Sequence, residues 1–148
     1  MLERIARLKS PEDCAVFEKN VTKLGRPDLA VAARKRALEL RAQKYGSNTE
    51  LERECLEAVY AYESVLSAKN GKTTRATHTW QMVKRHGIIK AIERAVNSES
   101  EITNYKSLLE MGLEDYAFEV MVARHPDQFS SDAVQHSQDR IVEWKKCA

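Results

Sequence analysis

Cysteine, glycine and proline are scarce in this chain of 148 residues, and each shortage excludes a class of protein. The three cysteines are far apart and odd in number, which does not fit a disulfide framework and favours a reducing compartment. Five glycines and three prolines are too few for a strand-rich protein with many tight turns. We therefore expect a helical protein without covalent cross-links.

Long apolar runs are missing as well. No stretch approaches the roughly 20 apolar residues that are needed to span a bilayer. Residues 1–9 alternate apolar and charged side chains and lack the apolar centre of a signal peptide. These absences predict a cytoplasmic protein that does not contact membranes. A chain of this length buries enough surface for one domain, which we expect to cover residues 1–148.

Helix-start and helix-stop residues divide the chain into about seven segments. Ser10 before Pro11 predicts an N-cap, and Gly25 a helix end. Pro27 begins a second helix that runs to Gly46. No segment alternates apolar and polar residues with period two. The predicted fold is all-α, a compact orthogonal bundle.

We expect three longer helices in residues 1–69. The first has an apolar stripe of Val16, Phe17, Val21 and Leu24. The third spans about residues 48–69 and opens on a capping box of Ser47 and Glu50.

Residues 70–148 are expected to form shorter helices around two helix-glycine-helix hairpins. The first hairpin covers residues 76–96 and turns at Gly87. The second begins with a cap at Thr103, turns at Gly112 and continues as one helix over residues 113–124. Ser130 or Ser131 caps the last helix.

Motifs for catalysis, metals and cofactors fail their tests. Asn70-Gly71-Lys72-Thr73 resembles the end of a phosphate-binding loop, but Leu66 stands where the first glycine of that loop is required. The four histidines form no i,i+4 pair, and there is no Cys-x-x-Cys. The acids of residues 50–57 suit a helix start. We predict no catalytic residue, no metal ligand and no cofactor, and an enzyme built from dispersed residues is a third alternative.

Charge is strongly segregated along the chain. The net charge is +5 over residues 1–48, −4 over 49–68, +6 over 69–96 and −5 over 97–148, so that the total of +2 conceals the pattern. The basic segment 69–96 is rich in threonine and contains Trp80, which helical spacing places on the apolar side as a core residue.

The basic segment predicts a non-catalytic nucleic-acid-binding module, with double-stranded DNA as the favoured ligand. Cationic side chains, hydroxyls and a glutamine are the groups that contact phosphates and base edges. The candidate contacts are Lys69, Lys72, Arg75, His78, Gln81, Lys84 and Arg85, with Arg34 and Arg41 from the second helix. The alternative is a helical module that binds an acidic protein or forms a homo-oligomer, because the alternating charges of two copies can meet.

Three stretches carry a resemblance to a known kind of protein. Arg26-Pro27-Asp28-Leu29-Ala30, Glu57-Ala58-Val59-Tyr60-Ala61-Tyr62-Glu63 and Trp80-Gln81-Met82-Val83-Lys84-Arg85-His86-Gly87-Ile88 resemble parts of an uncharacterised bacterial all-helical module. The resemblance implies a helical fold and a role near DNA processing or restriction. It supplies no active-site residues.

Overall fold

The computed structural model describes residues 1–98 and 105–147, without the side chain of Cys147. In these ranges the chain forms nine α-helices and one 3-10 helix, with no strand. The α-helices are α1 Leu2–Ala6, α2 Pro11–Lys23, α3 Pro27–Tyr45, α4 Glu50–Asn70, α5 Thr77–His86, α6 Ile88–Asn97, α7 Tyr105–Glu110, α8 Phe118–Arg124 and α9 Ser131–Cys147, and the 3-10 helix is Glu114–Tyr116. The all-helical bundle is confirmed. Its orthogonal packing remains a prediction.

The first helices follow the expected punctuation, with one addition and one correction. The Ser10 hydroxyl accepts a hydrogen bond from the Asp13 amide at 3.1 Å, as an N-cap does. The addition is α1, whose Ile5 packs beside Phe17 of α2. The predicted α2 stripe was wrong at its two ends. Val16 is 61% exposed because it faces about 100° away from Phe17, and Leu24 is 72% exposed because it lies where the chain leaves the helix.

The start of α4 differs from the sequence prediction. Thr49, and not Ser47, is the N-cap, and its hydroxyl accepts a hydrogen bond from the Glu52 amide at 3.1 Å. The spacing Thr-x-x-Glu satisfies the same capping pattern two residues further along. The predicted cap at Ser47 was therefore wrong by two residues.

The two hairpins have different outcomes. Helices α5 and α6 meet at Gly87, whose φ of 86° favours glycine. The second prediction was wrong in its last arm, because residues 113–124 are not one helix. A 3-10 turn precedes Ala117, which is extended at ψ 140°, and α8 begins only at Phe118. The expected cap at Thr103 lies outside the described residues. Helix α9 has 17 residues and is longer than α2, and Ser130 caps it by accepting the Ala133 amide at 3.2 Å.

Helix α4 lies at the centre of the molecule. Its Cys55 and Val59 pack with Ile92 of α6 and Met121 of α8. On another side, Val65 packs with core residues of α3 and of the segment that follows α7. Helices α1, α2 and the start of α3 form a separate apolar cluster. Among the described helices, none combines the length and the apolar character that crossing a bilayer requires.

Candidate nucleic-acid interface

A groove of about 940 Å³ runs between the start of α2, the end of α3 and the α4–α5 loop. We call it the basic groove. Its charged and hydroxyl side chains include Lys9, Arg41, Lys44, Thr73, Thr74 and Arg75. The antiparallel pairing of α2 and α3 brings the first residues of α2 opposite the last turn of α3, and this places Lys9 and Lys44 in one depression although they are 35 positions apart.

The α4–α5 loop is held in place by hydrogen bonds within the groove wall. The Ser67 hydroxyl accepts from the Thr74 amide at 2.9 Å and lies 3.3 Å from the Thr74 carbonyl oxygen, to which it donates. Asn70 Nδ2 donates to Thr74 Oγ1 at 3.1 Å. Gly71 ends α4 with a left-handed φ of 68°. The loop is therefore a fixed part of the groove, and it presents Arg75 at a set position.

Glu63 anchors the start of α5 from below the groove. Its Oε2 accepts hydrogen bonds from the Arg75 Nε at 3.0 Å, from the Ala76 amide at 2.8 Å and from the Trp80 Nε1 at 2.6 Å. The Glu63 side chain is 4% exposed, so this carboxylate has exchanged water for three fixed donors. Its negative charge is matched locally by the guanidinium of Arg75, which stays 65% exposed.

Two aromatic rings form a stack beside the groove, and a third contacts them. Trp80 stacks on Tyr45 with 5.3 Å between the ring centroids and 23° between the planes. Tyr60 lies 5.1 Å from Trp80 and is tilted by 53°. The guanidinium of Arg75 covers the Trp80 ring at 5.6 Å. Burial raises the pKa of Tyr60, and the nearby Glu63 carboxylate adds to the effect. Tyr45 closes the stack at the outside and remains 53% exposed.

The groove continues onto α5. A shallower depression of about 300 Å³ shares Arg75 with the basic groove and is otherwise lined by Thr77, Trp80, Gln81 and Lys84. Helix α5 thus extends the row of cations beyond the loop. Among the described residues, Lys9, Arg41, Lys44 and Lys84 make no ion pair; the three lysines are exposed and Arg41 is half-buried.

The structure gathers four of the nine residues that the sequence proposed. These four line the groove or its extension: Arg41, Arg75, Gln81 and Lys84. Four others are exposed on the same segment but line neither depression: Lys69, Lys72, His78 and Arg85. Arg34 lies elsewhere. Its guanidinium donates to Glu18 Oε2 at 2.9 Å and to the Met111 carbonyl oxygen at 3.0 Å, because the middle of α2 stands opposite the first half of α3.

Sequence reasoning missed Lys9, Lys44, Tyr45 and Tyr60. All four lie outside the basic segment 69–96, and a segmental count of charge cannot assign them to it. Tyr45 carried one available signal. It is a large aromatic residue directly before a helix-ending glycine, and the end of a helix lies at the surface unless something covers it.

A second charged depression lies on another side of α3. We call it the charged cavity. It has a volume of about 210 Å³, and its lining includes Lys35, Arg53, Glu54, Glu57, Asp115 and Arg124. Arg53 pairs with Glu50 and with Glu57, the latter at 2.6 Å, and Glu54 lies 3.4 Å from Arg124 Nη2.

Two groups beside this cavity hold their protons tightly. Burial raises the pKa of Glu57, and the Arg53 guanidinium opposes that rise. Burial also raises the pKa of Tyr116 to about 12, with the carboxylates of Glu57 and Glu39 contributing. Arg53 and Arg124 of the cavity are thus paired with carboxylates, in contrast with Lys9 and Lys44 of the groove.

No group of three or more His, Cys, Asp and Glu side chains in the described ranges has an arrangement that could hold a metal ion. No protein-family model, curated protein or solved structure matches the chain. A functional assignment therefore depends on the geometry of the groove and of the cavity.

Proposed function

We propose that this chain is a non-catalytic nucleic-acid-binding module, and that the basic groove holds the phosphate backbone. The observation that carries the proposal is the convergence of Lys9, Arg41, Lys44 and Arg75 on one groove from three separate stretches of chain. When positive side chains that make no ion pair meet phosphates, the counterions condensed on the nucleic acid are released. This release is the main source of affinity for nucleic acids.

Two further observations support the same function. Lys84 and Gln81 extend the groove along α5, and a cation with a neighbouring amide is a suitable pair for a phosphate and a base edge. Of the described residues that line the groove, only Glu12 and Glu63 are acidic, and three donors already satisfy Glu63. The sequence favours duplex DNA as the ligand, and the proposed phosphate contacts are common to duplex and single strand.

The test compares two double variants that change the net charge equally. Arg41→Glu with Lys44→Glu removes two groove cations, whereas Lys145→Glu with Lys146→Glu removes two exposed cations at the end of α9. Binding to a labelled oligonucleotide is followed by fluorescence anisotropy from 50 to 200 mM salt. We expect the groove variant to lose at least tenfold in affinity at about 50 mM salt and to lower the salt slope by about 2, since each phosphate contact contributes about one unit.

Equal losses in the two double variants would show a response to overall charge and would reject the groove. An unaffected groove variant would favour the alternative, in which the segregated charges join copies of the chain or an acidic protein. Sedimentation velocity at low and high salt then measures that self-association directly.

A further inference from the structure

The exposed end of the aromatic stack distinguishes between forms of nucleic acid. Trp80 covers one face of Tyr45, with the planes only 23° apart. Tyr45 nevertheless remains 53% exposed. It also lines the basic groove, together with Arg41 and Lys44. An unoccupied aromatic face beside unpaired cations is the arrangement by which proteins hold unpaired bases.

We infer that the basic groove binds an unpaired strand of DNA or RNA, with one base stacked on the free face of Tyr45 and the adjoining phosphates on Arg41, Lys44 and Arg75. The inference rests on the proposed function and specifies its ligand. In a duplex both faces of every base are covered by neighbouring bases, so Tyr45 has no base face to meet unless the strand is open.

Trp80, the ring that supports Tyr45, is held in place before a strand binds. Tyr60 packs against Trp80, and Glu63 accepts its hydrogen bond, so binding need not order this ring. The groove volume of about 940 Å³ lies near the upper end of the roughly 300–1,000 Å³ typical of ligand sites. A groove of this volume has room for a few nucleotides of one strand.

Base identity is not read by this arrangement. Every base has an aromatic face, and a stacking platform with phosphate contacts is tolerant of sequence. The amides of Gln81, in the α5 extension, and of Gln43, in the basic groove, can contact a base edge, but the base contact inferred here is the stack on Tyr45. We therefore expect similar affinities for different single-stranded sequences, and for DNA and RNA of the same length.

The experiment measures the affinity of the full chain for three labelled probes in one buffer: a 12-nucleotide oligothymidylate, a 12-nucleotide oligouridylate and a 12-base-pair duplex. We expect both single strands to bind at least tenfold more tightly than the duplex. Tyr45→Ala weakens single-strand binding by about tenfold, the loss of one stacked base, and changes duplex binding less than twofold. Tyr45→Phe, which keeps the ring, restores most of that loss.

The control is Leu109→Ala, which removes an apolar side chain that is 45% exposed and lies outside the groove. It should leave all three affinities unchanged. A variant that failed to fold would be seen in its far-ultraviolet circular dichroism, and Tyr45→Phe then decides the role of the ring against Tyr45→Leu.

The outcomes distinguish a failure of this inference from a failure of the proposed function. Duplex binding as tight as single-strand binding, with Arg41 and Lys44 still required, overturns the unpaired strand and leaves the nucleic-acid module standing. No salt-dependent binding to any of the three probes overturns both. A preference for RNA over DNA of more than tenfold also contradicts the inference, because it would require contacts to the 2′-hydroxyl that a stack and a phosphate clamp do not make.

Discussion

Helix α3 contributes side chains to both the basic groove and the charged cavity. Arginines of the cavity are paired with carboxylates, whereas most cations of the groove are not. Lys35 lines the cavity and Arg41 lines the groove, less than two turns further along the helix. Around the cavity, arginines and glutamates of α4 and α8 pair with one another. In the groove Lys9 and Lys44 are exposed, and of the described groove cations Arg75 alone has a carboxylate partner. A cluster of charged residues indicates a binding surface only where its charges remain unpaired.

The largest effect on stability is expected from a substitution at Glu63. This buried carboxylate belongs to the groove, yet it is paired as completely as any acid of the cavity. Glu63→Ala should lower the free energy of unfolding by about 3 kcal/mol, because the Ala76 amide and the Trp80 indole lose their acceptor. Urea denaturation measures the loss. Glu39→Ala, which breaks a partly exposed i,i+3 pair with Arg36, serves as the control and should cost less than about 1 kcal/mol.

A more direct contrast comes from removing one cation on each side. Arg53→Ala leaves Glu57 buried without its partner and should destabilise the protein by about 2 kcal/mol at neutral pH, since Arg53 is partly exposed. Lys44→Ala should change the stability by less than about 0.5 kcal/mol. Thermal unfolding of the two variants at equal salt tests the contrast. Equal losses would mean that the groove cations are structural too.

The smallest effect concerns pH and belongs to the cavity alone. Because burial raises the folded pKa of Glu57, the folded protein holds that proton more tightly than the unfolded chain does. Its contribution to stability therefore falls as the pH rises from about 4.3, the unfolded value for glutamate, through the folded pKa. Relative to the native chain, Glu57→Gln should gain stability over that interval by less than about 1 kcal/mol.

Urea midpoints of both proteins at pH 4.5, 6 and 7.5 reveal the difference. Lowered pKa values of Asp28, Glu50 and Glu93 act in the opposite sense, since they make acid destabilising. For this reason the comparison uses the difference between native chain and variant. A constant difference across the three pH values would contradict the assignment to Glu57.

The helical class and most helix ends followed from local chemistry. Ser10 capped α2, Gly46 ended α3, and Gly87 joined α5 to α6 as expected. These features depend on residues within one turn of each other, so that sequence displays them directly. The break at Ala117 did not follow, because packing against α4 and α9 shapes that segment, and local preference allowed one continuous helix.

The candidate site was only half predictable for the same reason. The positive character of residues 69–96 was visible in the sequence. Arg75 lines the basic groove, and Lys84 lines its extension on α5. The acids of residues 50–57 were interpreted as a favourable helix start, whereas Glu57 is a buried partner of Arg53, and the buried Glu63 was not singled out. Glu63 meets Arg75 and Trp80 across 12 and 17 residues, and no periodicity within a helix reports such contacts.

The clamp on the backbone at residues 111 and 112 limits how this protein can vary. Arg34 of α3 donates to the Met111 carbonyl oxygen, and a Cβ at Gly112 would lie 2.6 Å from Val31 Cγ2. Gly112 also has a φ of +73°, which disfavours other residues. A side chain at position 112 therefore requires a smaller residue at position 31. In a set of descendants of this chain, glycine at 112 should persist wherever 31 keeps a branched side chain.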